Sequence, residues 1–401
     1  MKVFWIAVVA AGFLALGGSD LSQRVQAQTQ MLAATPPMGW STWNHYHRDI
    51  SDALVRAQAD ALVASGMRDA GYVYVNIDGG WQGTRDADGV LHPNSNFPDM
   101  KALGDYIHSK GLKFGIYSGP GPKSCGGQPT SYGFEAQDAK MFASWGVDFL
   151  KYDLCSFRQI MQQESGGDVT KSDALMKAAY EKMHQALAAT GRPILFSLCQ
   201  YGWGEVWKWG PEVGGSMWRI SGDISDTYDR MSLNGFGEAG LSKFAGPGRW
   251  NDPDFLEVGN DGMKVDEQRT HFSLWAMLAS PLIAGNDVTA MTEQTKSILL
   301  NKEIIAVDQD PLGKQGDRAY ADGPLEVWAR PLEGGAMAVA LFNRTTGATH
   351  MTLRLKDVGW QGPAAARNLW THEDAGVLNG ETTVVVPGRG VVMMRLTHSA
   401  K

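Results

Sequence analysis

From residue 38 to residue 300 the chain repeats one pattern: a short apolar run, then a longer segment with apolar residues at helical spacing. The short runs fall at 38–43, 72–77, 113–118, 148–152, 194–198, 217–220, 249–250 and 281–284. The longer segments include 51–70, where Leu54, Ala57, Ala61, Leu62 and Met67 recur near the helical period, and 101–110, 135–145, 172–189, 267–278 and 289–300. Strands buried on both faces read as continuous apolar runs, and a parallel pair needs a crossover to return the chain. Eight such units predict an α/β chain closed into a (β/α)8 TIM barrel over residues 31–315. A doubly wound open sheet fits less well, because no Gly-x-Gly-x-x-Gly follows the first run. The sequence Gly119-Pro120-Gly121-Pro122 lacks the spacing of a phosphate loop.

The pattern changes near residue 315. The runs 325–329, 336–343, 350–355, 382–386 and 390–396 are short, alternate in polarity and are separated by Gly and Asn turns. They predict a C-terminal antiparallel β-sandwich over 320–398. At the other end, residues 1–27 read as an export signal: Lys2 is the positive start, 3–16 is apolar, and Val25-Gln26-Ala27 offers a cleavage site. The apolar run is short for a bilayer span of about 20 residues. The expected location is therefore secreted or periplasmic, with no membrane association after cleavage.

Charge and composition narrow the partners. A formal net charge of -7 disfavours nucleic acid and anionic membranes, whose phosphates repel an acidic protein. Fourteen tryptophans offer flat apolar faces suited to the C–H bonds of sugar rings, and core packing is their other use. The three cysteines, Cys125, Cys155 and Cys199, leave at least one thiol unpaired in an exported protein. No zinc spacing and no His-Glu-x-x-His occurs, so neither a metal nor another cofactor is expected.

Active groups of a barrel of this kind lie at the C-terminal ends of its strands. The residues there are Trp40 and Trp43, Asp78, Tyr117, Lys151 and Asp153, Cys199 and Gln200, Arg219 and Asp223, Asp252 and Asp254, and Asp287. A single Asp at a strand end also serves as a helix cap. A set of acids and aromatics converging on one face matches glycoside hydrolysis, which needs two carboxylates beside the scissile bond and polar groups for the hydroxyls.

The stretch from Pro36 to Asn44, Pro-Pro-Met-Gly-Trp-Ser-Thr-Trp-Asn, resembles the opening of the glycoside hydrolase family 27 barrel, the α-galactosidase and α-N-acetylgalactosaminidase family. Lys151-Tyr152-Asp153-Leu154-Cys155, Ser197-Leu198-Cys199, Trp218-Arg219 with Asp223-Ile224, and Trp250-Asn251-Asp252-Pro253-Asp254 resemble later motifs of the same family, in order. The resemblance extends from about residue 34 to the C-terminus. It implies a carbohydrate substrate and a retaining mechanism, with Asp153 as nucleophile and Asp223 as acid/base. It implies substrate contacts from Trp40, Asp78, Tyr117, Cys125, Lys151, Gln200, Arg219 and Asp254, and a Cys125–Cys155 disulfide that leaves Cys199 free. Chemistry adds two expectations: Lys151 lowers the Asp153 pKa, and Asp223 stands in a drier, less cationic place that keeps its proton.

Two positions depart from the family pattern. Gly79 follows Asp78 where many members carry a second Asp, and Gln200 stands where Glu is common. The run Tyr201-Gly202-Trp203-Gly204 lacks the small Ser and Ala that admit an N-acetyl group. Terminal α-linked galactose is the expected sugar, with β-L-arabinopyranose and α-glucan linkages as rivals. A non-catalytic sugar-binding protein is the alternative from another class; it requires Asp153 or Asp223 to be absent, and both are present.

Overall fold

A computed structural model describes residues 31–398. The leader expected at 1–27 lies outside the described residues. The ordered chain opens with β1 (Met38–Ser41) and β2 (Tyr74–Ile77), followed by a small hairpin of β3 (Gln82–Arg85) and β4 (Leu91–Pro93). It continues through β5 (Lys113–Ser118), β6 (Phe149–Asp153), β7 (Leu195–Cys199), β8 (Met217–Arg219), β9 (Trp250–Asp252) and β10 (Leu282–Ala284). Eight of these strands form one parallel sheet in the order β10-β1-β2-β5-β6-β7-β8-β9. A parallel bridge from Leu256 to Ala284, with Leu256 N–H donating to Ile283 O at 2.8 Å, joins the two ends and closes the barrel.

The apolar runs become strands because nearly every residue in them is buried on one side or the other. Val75, Ile77, Ile116, Leu150, Leu198 and Trp218 are at most 1% exposed. The amphipathic segments pack outside them as helices. The helix Asp52–Ala64 starts on Ser51, whose hydroxyl accepts from Leu54 N–H at 3.2 Å. The segment expected as one helix over 51–70 is two, because Gly66 takes φ +86° and ends the first. Helices at Phe157–Ser165, Tyr228–Phe236 and Lys302–Asp308 escape the periodicity reading, since none exceeds nine residues.

The chain then forms β11 (Asp317–Asp322), β12 (Leu325–Pro331), β13 (Met337–Asn343), β14 (Thr349–Arg354), β15 (Ala364–Asn368), β16 (Glu373–Leu378), β17 (Glu381–Val386) and β18 (Val391–His398). A six-stranded antiparallel sheet, β11-β12-β13-β18-β15-β16, packs against the pair β14-β17. Val339, Leu341, Leu353, Val386 and Leu396 are buried between them. β11, β15 and β16 carry no apolar run, and backbone pairing with neighbouring strands is what makes them strands. This unit is joined to the barrel through Arg330 of β12. Its guanidinium donates to the carbonyls of Ala276, in the helix Val265–Leu278, and of Asp308, in the helix Lys302–Asp308. Trp328, Phe236 and Phe342 pack edge-on alongside.

Candidate active site

The C-terminal ends of the barrel strands meet in one cleft, lined by Trp43, Asp78, Gly79, Tyr117, Cys125, Lys151, Asp153, Arg219, Asp223, Asp254 and Phe255. Asp153 is the last residue of β6 and is 7% exposed. Each of its carboxylate oxygens accepts a hydrogen bond from a different tyrosine. Tyr117, from β5, donates to Oδ2 at 2.9 Å, and Tyr201, just after β7, donates to Oδ1 at 2.5 Å. Cys125 and Cys155 are disulfide-bonded, with Cα atoms 5.0 Å apart, and this link ties the loop after β5 to the residues just after Asp153. Cys199 is free and buried. The sulfurs of Cys125 and Cys155 lie close to the Asp153 carboxylate, but the bond between them leaves no thiolate to hold a metal ion.

Two buried cations organise the remaining acids. Lys151 Nζ donates to Asp78 Oδ2 at 2.7 Å, with the Phe255 ring 4.6 Å away. Asp78 is fixed in turn by Gly79 N–H, which donates to its Oδ1 at 2.7 Å. Arg219, 2% exposed, reaches Asp254 at 2.8 Å and Asp223 at 3.1 Å. Asp254 adopts φ +94°, a costly conformation for a side-chain-bearing residue. Its carboxylate accepts from Ile224 N–H at 2.8 Å and Phe255 N–H at 2.9 Å, and these bonds with Arg219 hold it there. Asp223 itself stands at the mouth, its side chain 71% exposed.

The charges differ from the sequence expectation in an instructive way. Burial pushes the Asp153 carboxyl above its ordinary range, and Lys151 and the two tyrosines pull it down by less. The reason is geometric: the hydrogen bond of Lys151 goes to Asp78, leaving a longer-range attraction for Asp153. At Asp223 the loss of water raises the pKa, but Arg219, Lys151 and Arg230 outweigh it and the net direction is down. The guanidinium that grips Asp223 in the open cleft thus favours its ionised form.

Two expected contact residues lie behind the wall. Trp40 is fully buried, with its indole N–H donating to Asn286 O at 2.7 Å, and Trp43, half-buried in the short helix Trp43–Tyr46, faces the cleft instead. β1 alternates sides with a period of two, and the chain turns after Ser41, so the second tryptophan is the one delivered to the opening. Gln200 is also fully buried, its amide directed to Arg219 O at 3.4 Å. Asp78, Tyr117, Cys125, Lys151, Arg219 and Asp254 all line the cleft. Sequence reasoning passed over Tyr201 and Phe255. Tyr201 sits in a turn with φ +62°, and the adjacent Gly202 was the available signal for that turn.

The comparisons with known proteins bear on the family and the fold. Residues 35–310 match the family described as alpha galactosidase A, and residues 322–396 match the alpha galactosidase C-terminal beta sandwich domain. An alpha-galactosidase of Cyamopsis tetragonoloba is 43% identical over 91% of this chain and 87% of its own. Alpha-galactosidase A of Cellvibrio japonicus is 42% identical over 94% of this chain and 96% of its own. The crystal structure of alpha-galactosidase I from Mortierella vinacea superposes with a TM-score of 0.86 at 36% identity, covering 93% of this chain and 99% of that one. These matches, which span both the barrel and the β-sandwich, place the chain in the alpha-galactosidase family of glycoside hydrolases.

Proposed function

We propose that Asp153 and Asp223 cleave terminal α-linked galactose from oligo- or polysaccharides by double displacement. The chain is a galactose-releasing glycoside hydrolase by its family, and the geometry of the cleft supports the proposed carboxylate roles. The carrying observation is the clasp on Asp153: both oxygens are fixed by hydroxyl donors at the floor of a cleft whose rim bears a second carboxyl. In the first step an Asp153 oxygen bonds to the anomeric carbon. The bond to the leaving oxygen breaks, and that oxygen takes its electron pair and a proton from Asp223. In the second step Asp223 accepts a proton from water. The water oxygen bonds to the anomeric carbon, and the ester bond breaks with its electrons returning to Asp153. Asp78, Lys151, Arg219 and Asp254 are the hydroxyl-binding groups, and Trp43 replaces Trp40 as the aromatic wall. The Cys125–Cys155 bond supports export to an oxidising compartment. Among the described residues no helix is long and apolar enough to cross a membrane.

Gly79 keeps a pentopyranose reading in view. A Cβ there meets only ordinary contacts, 3.5 Å to Tyr117 and 3.8 Å to Trp43, so neither packing nor backbone demands glycine. The wall beside Asp78 therefore offers space and no second carboxylate. The test is Asp153→Ala on a panel of aryl α-galactoside, β-L-arabinopyranoside, α-N-acetylgalactosaminide and α-glucoside. We expect the parent to prefer the galactoside and the variant to lose turnover while keeping its circular dichroism. Near-normal rates in the variant refute the nucleophile; a large preference for another glycoside refutes the sugar.

A further inference from the structure

We infer that Asn44, held at the cleft wall by Glu257, binds a hydroxyl at the end of the sugar ring remote from the anomeric carbon. The inference rests on the function proposed above and names a specificity contact in the wall that Gly79 leaves without a second carboxylate. Asn44 is half-buried in the short helix Trp43–Tyr46 and lines the cleft together with Trp43 and Gly79.

The order of the barrel strands assigns this wall to one end of the ring. In the closed sheet β10 stands opposite β6, and β1 and β9 flank β10. Asp153 ends β6, so a pyranose that presents its anomeric carbon to Asp153 turns C4 and the C5 substituent toward the ends of β1, β10 and β9. Asn44 follows β1, and Glu257 follows β9. Gly285 follows β10, and a Cβ on it would lie 3.0 Å from Asn44 Cβ and 3.2 Å from Leu256 O. The missing side chain lets the two segments close over the end of β10.

There they are joined by a short clamp. Asn44 Nδ2 donates to Glu257 Oε1 at 2.5 Å, and Asn260 Nδ2 donates to Glu257 Oε2 at 2.6 Å. Glu257 is 3% exposed, so these two amides hold its carboxyl in place of water. A carboxamide carries two N–H donors and a carbonyl acceptor, and Glu257 takes one donor. The second N–H and the carbonyl oxygen remain for a ligand. Together they serve a neutral hydroxyl as donor or as acceptor, whereas an aspartate at position 79 could only accept.

The experiment measures kcat/KM for the parent, Asn44→Ala, Glu257→Ala and Glu257→Gln on an aryl α-galactoside and on its 4-deoxy and 6-deoxy analogues. Asn44→Ala should lose about tenfold on the galactoside and on the analogue that keeps the bound hydroxyl, and stay within about twofold of the parent on the analogue that lacks it. Glu257→Ala frees the Asn44 amide and should show the same substrate pattern. Glu257→Gln, which keeps an oxygen to accept from Asn44, should recover most of that loss. Equal losses of Asn44→Ala on all three substrates overturn the contact and make Asn44 a clip between two loops. No loss in that variant also overturns it, and parental kinetics in Glu257→Ala overturn the hold on Asn44. A parent protein that hydrolyses none of the three substrates refutes the proposed function itself, a result distinct from these.

Discussion

Replacing Tyr201 with Phe removes one hydroxyl and tests the clasp on Asp153 directly. The bond is 2.5 Å long, its acceptor is 7% exposed, and the donor serves an ionised carboxylate. A hydrogen bond to a charged group contributes about 1.5–3 kcal/mol, which corresponds to a factor of roughly 10–150 in a rate that depends on it. The ring stays, so the contacts with Arg158 and Arg219 survive and the fold should hold. In the proposed mechanism Asp153 attacks in the first step and leaves in the second. Without the donor, the departing carboxylate is less stabilised and the second step slows more. With a dinitrophenyl galactoside, stopped-flow should show a burst of phenolate near one equivalent of enzyme, then a steady rate about 10–100-fold below the parent. The hydroxyl favours the ionised form of Asp153, so its loss raises that pKa; since this is the higher of the two in the free enzyme, the basic limb of kcat/KM moves upward. Parental kcat together with an unmoved basic limb would refute the claim that this hydroxyl serves the proposed nucleophile.

Two further outcomes are expected. The proposed mechanism needs Asp153 ionised and Asp223 protonated, yet burial raises the first pKa and Arg219 lowers the second in the open cleft. The productive form is therefore best populated between those two values, and kcat/KM should peak at acid pH. Bound sugar displaces water from the exposed Asp223 and raises its pKa, so the acid limb of kcat should lie above that of kcat/KM. A kcat/KM plateau reaching about pH 8 contradicts this reading. Arg330→Met leaves the buried carbonyls of Ala276 and Asp308 without their donor, which should destabilise the protein by about 2–4 kcal/mol. Urea unfolding measures it, and an unchanged midpoint would show that the β-sandwich is held to the barrel by other contacts.

The barrel was legible in the residues because each of its strands is buried on both faces and so writes itself as an apolar run. The order of those runs alone puts Asp78, Asp153, Asp223 and Asp254 at one end of the sheet, where the cleft lies. β11 and β16 left no such trace, since their residues are largely exposed, and β15 offers only three alanines with no branched or aromatic side chain. Which of two tryptophans three residues apart faces the sugar was decided by the turn after Ser41, which sends Trp40 into the core and Trp43 to the cleft. Proximity in sequence suggested that Lys151 serves Asp153; in space its hydrogen bond goes to Asp78, 73 residues away. The part of Tyr201 in the clasp, 48 residues from Asp153, was equally out of reach of the sequence. Residue types and strand order thus determined which chemistry this protein carries. The partner of each charge, and with it the direction of each pKa, was set by tertiary packing, because Coulomb and hydrogen-bond energies depend on distances that strand-end positions alone do not define.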